Sequence, residues 1–251
     1  MEIYQIASGS SGNVMLFSSE KTRFLLDAGT NARYITKALA EIGVSIGDLS
    51  AIVLTHEHSD HISALRGVTK NTDIPVYASS GTTEALIQNA GCKVSCIRPF
   101  RAGSGFYIGD FYLESFEVSH DACDCVGYTI NCGGEKTGYA TDLGCVNDRI
   151  ISMLKGSRTV IIESNHDPET LKKGPYPYYL KRRILSDSGH LSNQACAEAA
   201  LEFAKNGARK IILSHLSAQN NTAEMAFNTT YLKLLSIGAG EDVELIVAKR
   251  R

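Results

Sequence analysis

The sequence predicts a layered α/β protein. Three observations point there. Short β-branched apolar runs such as Ala51-Ile52-Val53-Leu54 and Arg158-Thr159-Val160-Ile161-Ile162 read as buried strands. Stretches with helical apolar spacing lie between such runs. A β-rich middle carries hairpin punctuation at Gly109-Asp110 and Gly133-Gly134. Strands and helices in this mixed order bury their apolar faces best as stacked layers.

In chain order, strands 2–7, 13–18 and 23–27 form a meander, with turns at the Ser/Gly run 8–12 and at Ser18-Ser19-Glu20-Lys21. Phe24-Leu25-Leu26 is apolar on both faces, so that strand belongs in the centre of a sheet. Tyr34, Ile35, Ala38, Leu39 and Ile42 give residues 31–42 a helical stripe that stops at Gly43. Strand 51–54, a helical pattern over Ile62–Val68, a short strand near Val76-Tyr77 and a helix 81–90 follow. Strands 106–108, 111–118, 126–131 and 137–140 come next. Helix 146–154, strand 158–162, helix 192–205, strand 209–213 and helix 223–235 then alternate. With no low-complexity tract or linker, a single domain over 1–251 is expected.

The bulk numbers exclude some classes. A net charge of −2 and a pI near 6.4 give no global basic field, so any nucleic-acid contact must be a local patch. The N-terminus runs straight into an alternating strand, without a signal-peptide pattern, and no apolar run is long enough to span a bilayer. Seven scattered cysteines are not a disulfide framework. Reduced thiols, a cytoplasmic location and no membrane partner are the expectation. Cys92-x3-Cys96 and Cys123-x-Cys125 lack a second pair of known zinc spacing. Lys249-Arg250-Arg251 reads as a soluble tail.

One stretch concentrates chemistry. Thr55-His56-Glu57-His58-Ser59-Asp60-His61 follows a buried strand and packs three imidazoles and two carboxylates into six residues. Such a cluster is costly unless a cation sits between the lone pairs. The pattern is not the zincin His-Glu-x-x-His, because Asp60 stands where the second His belongs. Five further polar groups follow strands: Asp27, His120, Asp142, Glu163 to Asp167, and His215.

His-x-His-x-Asp-His followed by a lone His, a lone Asp and a last His resembles the metallo-β-lactamase-fold hydrolases. The resemblance implies an αββα four-layer sandwich, two mixed sheets with helices outside. It implies that His56, His58 and His120 bind one metal, that Asp60, His61 and His215 bind the other, and that Asp142 bridges them. Asp27 matches the early Asp that supports the His loop. Two divalent ions are implied, Zn or Mn with Fe admissible, sharing a hydroxide as the nucleophile.

Ser8-Gly9-Ser10-Ser11-Gly12-Asn13, Glu163-Ser164-Asn165-His166-Asp167, Gly189-His190-Leu191-Ser192-Asn193 and Ser214-His215-Leu216-Ser217 resemble the bacterial YycJ/WalJ group. That group is associated with 5′→3′ exonuclease activity on DNA. The resemblance makes His190, Asp60 and His166 the candidate catalytic residues, His190 through the phosphate or the leaving oxygen. Ser11, Asn13 and Asn220 are expected on the substrate side. Lys172, Lys173, Lys181, Arg182 and Arg183, interleaved with Tyr176, Tyr178 and Tyr179, form a basic aromatic segment suited to nucleic acid, with Lys181, Arg182 and Arg183 as its main contacts. The alternative is a small-molecule metallo-hydrolase: a cyclic phosphodiesterase, thioesterase or lactamase. The oligomeric state is left open.

Overall fold

A computed structural model describes residues 1–89 and 91–249. Ala90, at the end of the expected helix 81–90, and Arg250-Arg251 of the basic tail lie outside the described residues. The chain forms two compact units. The first comprises Met1–Glu117, Ala122–Val126 and Lys249, the second Val118–Asp121 and Gly127–Ala248.

In the first unit, β1 (Glu2–Ala7), β2 (Val14–Ser18) and β3 (Arg23–Leu26) form the expected antiparallel meander. α1 (Ala32–Glu41) starts on Asn31, whose side chain accepts from Tyr34 N. β4 (Ala51–Val53) pairs parallel with β3. α2 (Ser59–Ile62) and α3 (Leu65–Thr69) follow, then β5 (Val76–Ser79), α4 (Ser80–Gln88) and β6 (Ile97–Phe100). The hairpin β7 (Gly105–Ile108) and β8 (Phe111–Glu117) turns at Gly109, with φ +56°. Among the described residues the sheet order is β1-β2-β3-β4-β5-β6, parallel from β3 onward.

β3 is apolar on both faces because both are covered. Leu25 joins a buried cluster with Ile35 and Leu39 of α1 and Leu65 and Val68 of α3. Phe24 points the other way. It stacks on Phe17 at 5.1 Å between ring centres and meets Phe111 edge-on, also at 5.1 Å.

Two details differ from expectation. The helical pattern over 62–68 is broken into two short helices, the first beginning inside the His-rich run with His58 at its cap. Ser59, Asp60 and His61 are polar, so apolar spacing could not reveal that turn. β6 was unexpected because two of its four residues are exposed and Pro99 interrupts it; as the last strand in the order it tolerates a missing donor.

In the second unit, β9 (Val126–Cys132) and β10 (Glu135–Ala140) form an antiparallel pair. α5 (Asp148–Leu154) leads to β11 (Thr159–Glu163). α6 (Pro168–Lys173), α7 (Tyr178–Ile184) and α8 (Asn193–Lys205) precede β12 (Lys210–Ser214), and α9 (Ala223–Leu235) precedes β13 (Glu244–Val247). The strands run β13-β12-β11-β10-β9, and β10 to β13 are mutually parallel. α6 and α7 have six and seven residues, too short to show helical periodicity. β13 has four residues, and its apolar run Leu245-Ile246-Val247 is too short to mark a strand by itself.

Phe24→Ala is expected to destabilise the protein by about 3–5 kcal/mol, the cost of deleting a buried ring and leaving a cavity. Urea unfolding followed by circular dichroism would read this as a lower midpoint at unchanged slope. A midpoint shift equivalent to less than about 1 kcal/mol would show that the Phe17–Phe24–Phe111 stack is not tightly packed.

Candidate functional site

In the first unit the site grows from the ends of two adjacent parallel strands. β3 ends at Asp27 and β4 runs out through Leu54 to Thr55 and His56. Asp27 adopts φ +60°, a left-handed conformation that Asp tolerates better than most residues. Its buried carboxylate accepts from Thr55 N at 2.9 Å and from His61 Nδ1 at 2.8 Å. The Thr55 hydroxyl lies 3.0 Å from both Asp27 Oδ2 and His56 Nδ1, so with its proton on Asp27 it accepts from His56. The rings of His56 and His61 are 4.1 Å apart, and His58 stands edge-on to His56 at 4.6 Å.

Backbone contacts fix that loop. Asn13 N donates to Asp60 O, Ala28 N to His61 O, and Gly29 N to Asn13 O, at 2.8, 2.8 and 2.9 Å. A Cβ on Gly29 would fall 1.5 Å from Asp60 O, so only glycine lets these strands of chain meet. Asn13 is buried: its Oδ1 accepts from Gly9 N and its Nδ2 lies 3.0 Å from His61 Nε2. It therefore braces the His loop, whereas Ser11 in the same turn is exposed.

In the second unit three parallel strands end side by side. β10 leads to Asp142, β11 ends at Glu163 and β12 leads to His215, with Glu163 in register with Ser214. Asp142 and His215 both have left-handed backbones, φ +55° and +54°. Donor atoms of Asp142, Glu163, His190 and His215 lie within 4.8 Å of one another. His190 Nδ1 and His215 Nδ1 both donate to Glu163 Oε1, at 2.8 and 2.7 Å. Glu163 Oε2 accepts from Leu143 N and Leu191 N, each at 3.0 Å. His120 Nδ1 donates to Gly189 O at 3.0 Å, and its Nε2 lies 4.0 Å from Asp142.

Electrostatics follow burial and partners. Burial lowers the His190 pKa, but Glu163 and Asp142 outweigh it and the net shift is upward. Glu163 is held at about 2 by His190 and His215 against the opposing effect of burial. Burial lowers His120 despite Asp142. His166 is buried, neither of its ring nitrogens has a hydrogen-bond partner among the described residues, and burial pushes its pKa down to about 4.

This donor set fits a divalent cation. His56, His61, His120 and His215 each have Nδ1 bonded to an oxygen. That fixes the tautomer with Nε2 as the basic nitrogen, the form that ligates metal. A divalent metal is therefore implied.

Sequence reasoning placed Glu163 at a strand tip without giving it a role. The available signal was an acid closing an apolar β-branched strand, which is affordable only beside a positive or donating partner. Asn220, expected to face substrate, is instead fully buried, and its Nδ2 donates to Ser217 Oγ at 3.3 Å. Asn165, Asn193 and Asn221 form a buried amide network with Ser164, in which Asn165 Nδ2 also reaches His215 O at 3.0 Å. Lys181 Nζ donates to Lys172 O, Arg182 lies over Tyr178, and Arg183 is bonded to Asp121. The seven cysteines are free thiols, and among the described residues no cysteine joins a metal-binding group.

Residues 22–216 match the sequence model of a family described as a beta-lactamase superfamily domain. Exodeoxyribonuclease YycJ of Bacillus anthracis is 38% identical, over 96% of this chain and 92% of its own. Exodeoxyribonuclease WalJ of Streptococcus pneumoniae serotype 2 is 39% identical, over 96% of this chain and 91% of its own. The crystal structure of the metallo-beta-lactamase fold protein YhfI from Bacillus subtilis aligns with a TM-score of 0.77 at 18% identity, covering 99% of this chain and 95% of that one. No described helix is long and apolar enough to cross a membrane. Two mixed sheets with helices, strand-end imidazoles and carboxylates, and these matches converge: the chain belongs to the metallo-β-lactamase-fold hydrolases, in the YycJ/WalJ group.

Proposed function

We propose that the chain is a binuclear metal-dependent phosphodiesterase that degrades DNA from the 5′ end, in the cytoplasm, with residues 1–251 acting as one domain. The observation that carries this is the fixed tautomer of its imidazoles, which offers basic Nε2 atoms beside carboxylates. The names of the YycJ and WalJ relatives support nucleic acid as substrate and DNA as its kind. In this reading His56, His58 and His120 would hold one ion, Asp60, His61 and His215 would hold the other, and Asp142 would serve both. Zn²⁺ or Mn²⁺ suits these ligands, with Fe admissible, and when bound supplies Lewis acidity and a water of lowered pKa.

The chain's own residues do the rest. Glu163 holds His190 by Nδ1, so its Nε2 is the atom that gives a proton to the leaving oxygen. Glu163 and Asp142 raise the pKa of the ring against the effect of burial, which favours its protonated form. Asp60, held near His61 Nε2 at 3.7 Å, joins it in the catalytic set. Lys181, Arg182, Tyr178 and Tyr179 on α7 neutralise phosphates and stack unpaired bases. Ser11 offers a hydroxyl to a phosphate. His166, its pKa pushed down to about 4 by burial, is neutral at pH 7, so within the catalytic set it would accept a proton and not supply one.

The decisive experiment is a substrate panel with Mn²⁺ or Zn²⁺: duplex DNA with and without a 5′-phosphate, single-stranded DNA, RNA, a chromogenic phosphodiester, a thioester and a β-lactam. Processive release of nucleotides from DNA 5′ ends is expected; turnover confined to the small esters or the lactam would defeat the reading. His58→Ala and Asp142→Ala should abolish hydrolysis and lower bound metal. His190→Ala should lower turnover far more than metal content, and normal turnover on a poor leaving group would remove its role.

Replacing Lys181 and Arg182 with Ala should weaken DNA binding and reduce the slope of log affinity against log salt by about 1–2. An unchanged slope would make α7 ordinary surface. His166 gives a stability prediction. Its folded pKa lies below its unfolded value near 6.5, so from pH 6.5 down to about 4 the unfolded chain takes up a proton that the native chain refuses. Stability is lost over that window, on the order of 3 kcal/mol. His166→Asn should lose less stability between pH 7 and pH 4.5 in urea titrations; parallel losses in both proteins would show that His166 titrates normally.

A further inference from the structure

Arg183 sits in the basic segment, yet its guanidinium is already engaged. Nε and Nη2 donate to the two carboxylate oxygens of Asp121, the latter at 2.9 Å. This is the bidentate geometry that makes Arg–carboxylate pairs both strong and directional. Its base is fixed as well. Arg183 O lies where a Cβ on Gly189 would be, 2.2 Å away, and His190 N donates to Ile184 O at 3.0 Å.

Asp121 directly follows His120, and its Oδ1 lies 3.5 Å from His120 Nε2. Nδ1 of that ring is tied to Gly189 O, so Nε2 is the nitrogen that would meet a cation. Two ligand atoms each about 2.0–2.2 Å from one tetrahedral ion stand roughly 3.3–3.5 Å apart. Asp121 Oδ1 is thus within a short swing of such a place, yet among the described residues Asp121 joins no metal-binding group. A half-exposed carboxylate there would be drawn to any ion held by His120 unless something held it back.

Resting on the metal centre proposed above, we infer that Arg183 is a positioning residue that keeps Asp121 out of the coordination sphere at His120. By occupying both oxygens it keeps a place open for a substrate oxygen. Arg183 therefore governs turnover through Asp121 and does not contact the DNA backbone. Lys181 and Arg182, on the same helix, carry the phosphate contacts.

The test uses the full chain loaded with Co²⁺, whose visible absorption weakens as coordination number rises. In Arg183→Ala, Asp121 is released: the visible band should fall severalfold, and kcat on DNA should drop about 10-fold or more, as when a partner of a metal ligand is lost, while KM stays within about twofold. Adding Asp121→Asn to Arg183→Ala should restore both the band and kcat. Arg183→Lys, which keeps the charge but not the fork, should fall between, and it carries the comparison if the alanine variant does not fold. The idea is overturned if Arg183→Ala leaves the band unchanged, raises KM and flattens the salt dependence of binding, with no rescue by Asp121→Asn. Failure of the wild-type chain to take up Co²⁺ overturns the metal centre and this inference together. Normal uptake with an unresponsive band removes this inference alone.

Discussion

Each unit depends on one buried carboxylate at the end of a parallel strand. Asp27 and Glu163 are fully buried, and an isolated carboxylate in such a place is expensive. Each is satisfied by imidazole Nδ1–H and by backbone N–H donors from neighbouring loops. The bargain works in both directions. The carboxylate gets its donors, and the imidazoles are held in one tautomer and one orientation, with Nε2 facing away from the anchor. Removing either carboxylate would leave rings free to flip and Nε2 free to carry the proton.

The strand arrangement explains why this arrangement occurs twice. In the first unit β3 delivers Asp27 and its parallel neighbour β4 delivers the loop containing His61. In the second, β11 delivers Glu163 and its parallel neighbour β12 delivers His215. Parallel strands bring their carboxyl ends to one edge of the sheet, which is where open α/β sheets present ligands. The left-handed backbones of Asp27, Asp142 and His215 then turn the chain sharply at that edge. Each costs roughly 1–2 kcal/mol, which the buried hydrogen bonds around it must offset.

Much of this was legible in the residues. The His-rich run, the lone Asp and His after strands, and the apolar runs before them are local signals, and local signals survive in a sequence. The apolar character of Phe24 and Leu25 was enough to place β3 centrally, because a two-sided covering leaves no polar alternation. What escaped was of two kinds. Short elements such as α6, α7 and β13 are too brief for periodicity to mark them. Partnerships across long separations, Glu163 with His215 or Arg183 with Asp121, leave no spacing to read. Asn220 shows the reverse case: a polar residue in a conspicuous motif reads as a substrate contact, yet its side chain is buried with its Nδ2 on the Ser217 hydroxyl.

α7 shows how one short helix can divide its labour. Successive residues on a helix point about 100° apart, so Arg182 and Arg183 cannot face the same way. Arg182 turns toward the ring of Tyr178, on the exposed aromatic face suited to unpaired bases. Arg183 turns toward Asp121, next to His120. Between a chain whose net charge is only −2 and a polyanionic substrate, a local patch must do the attracting. α7 ends on Ile184, whose carbonyl accepts from His190 N, and it packs through Gly189, the acceptor of the His120 ring, so in the function proposed above a patch on this helix would be coupled to both histidines. A shift of α7 would reach both residues, since the backbone N of His190 donates to the carbonyl of Ile184 on that helix and the His120 ring donates to the carbonyl of the adjoining Gly189.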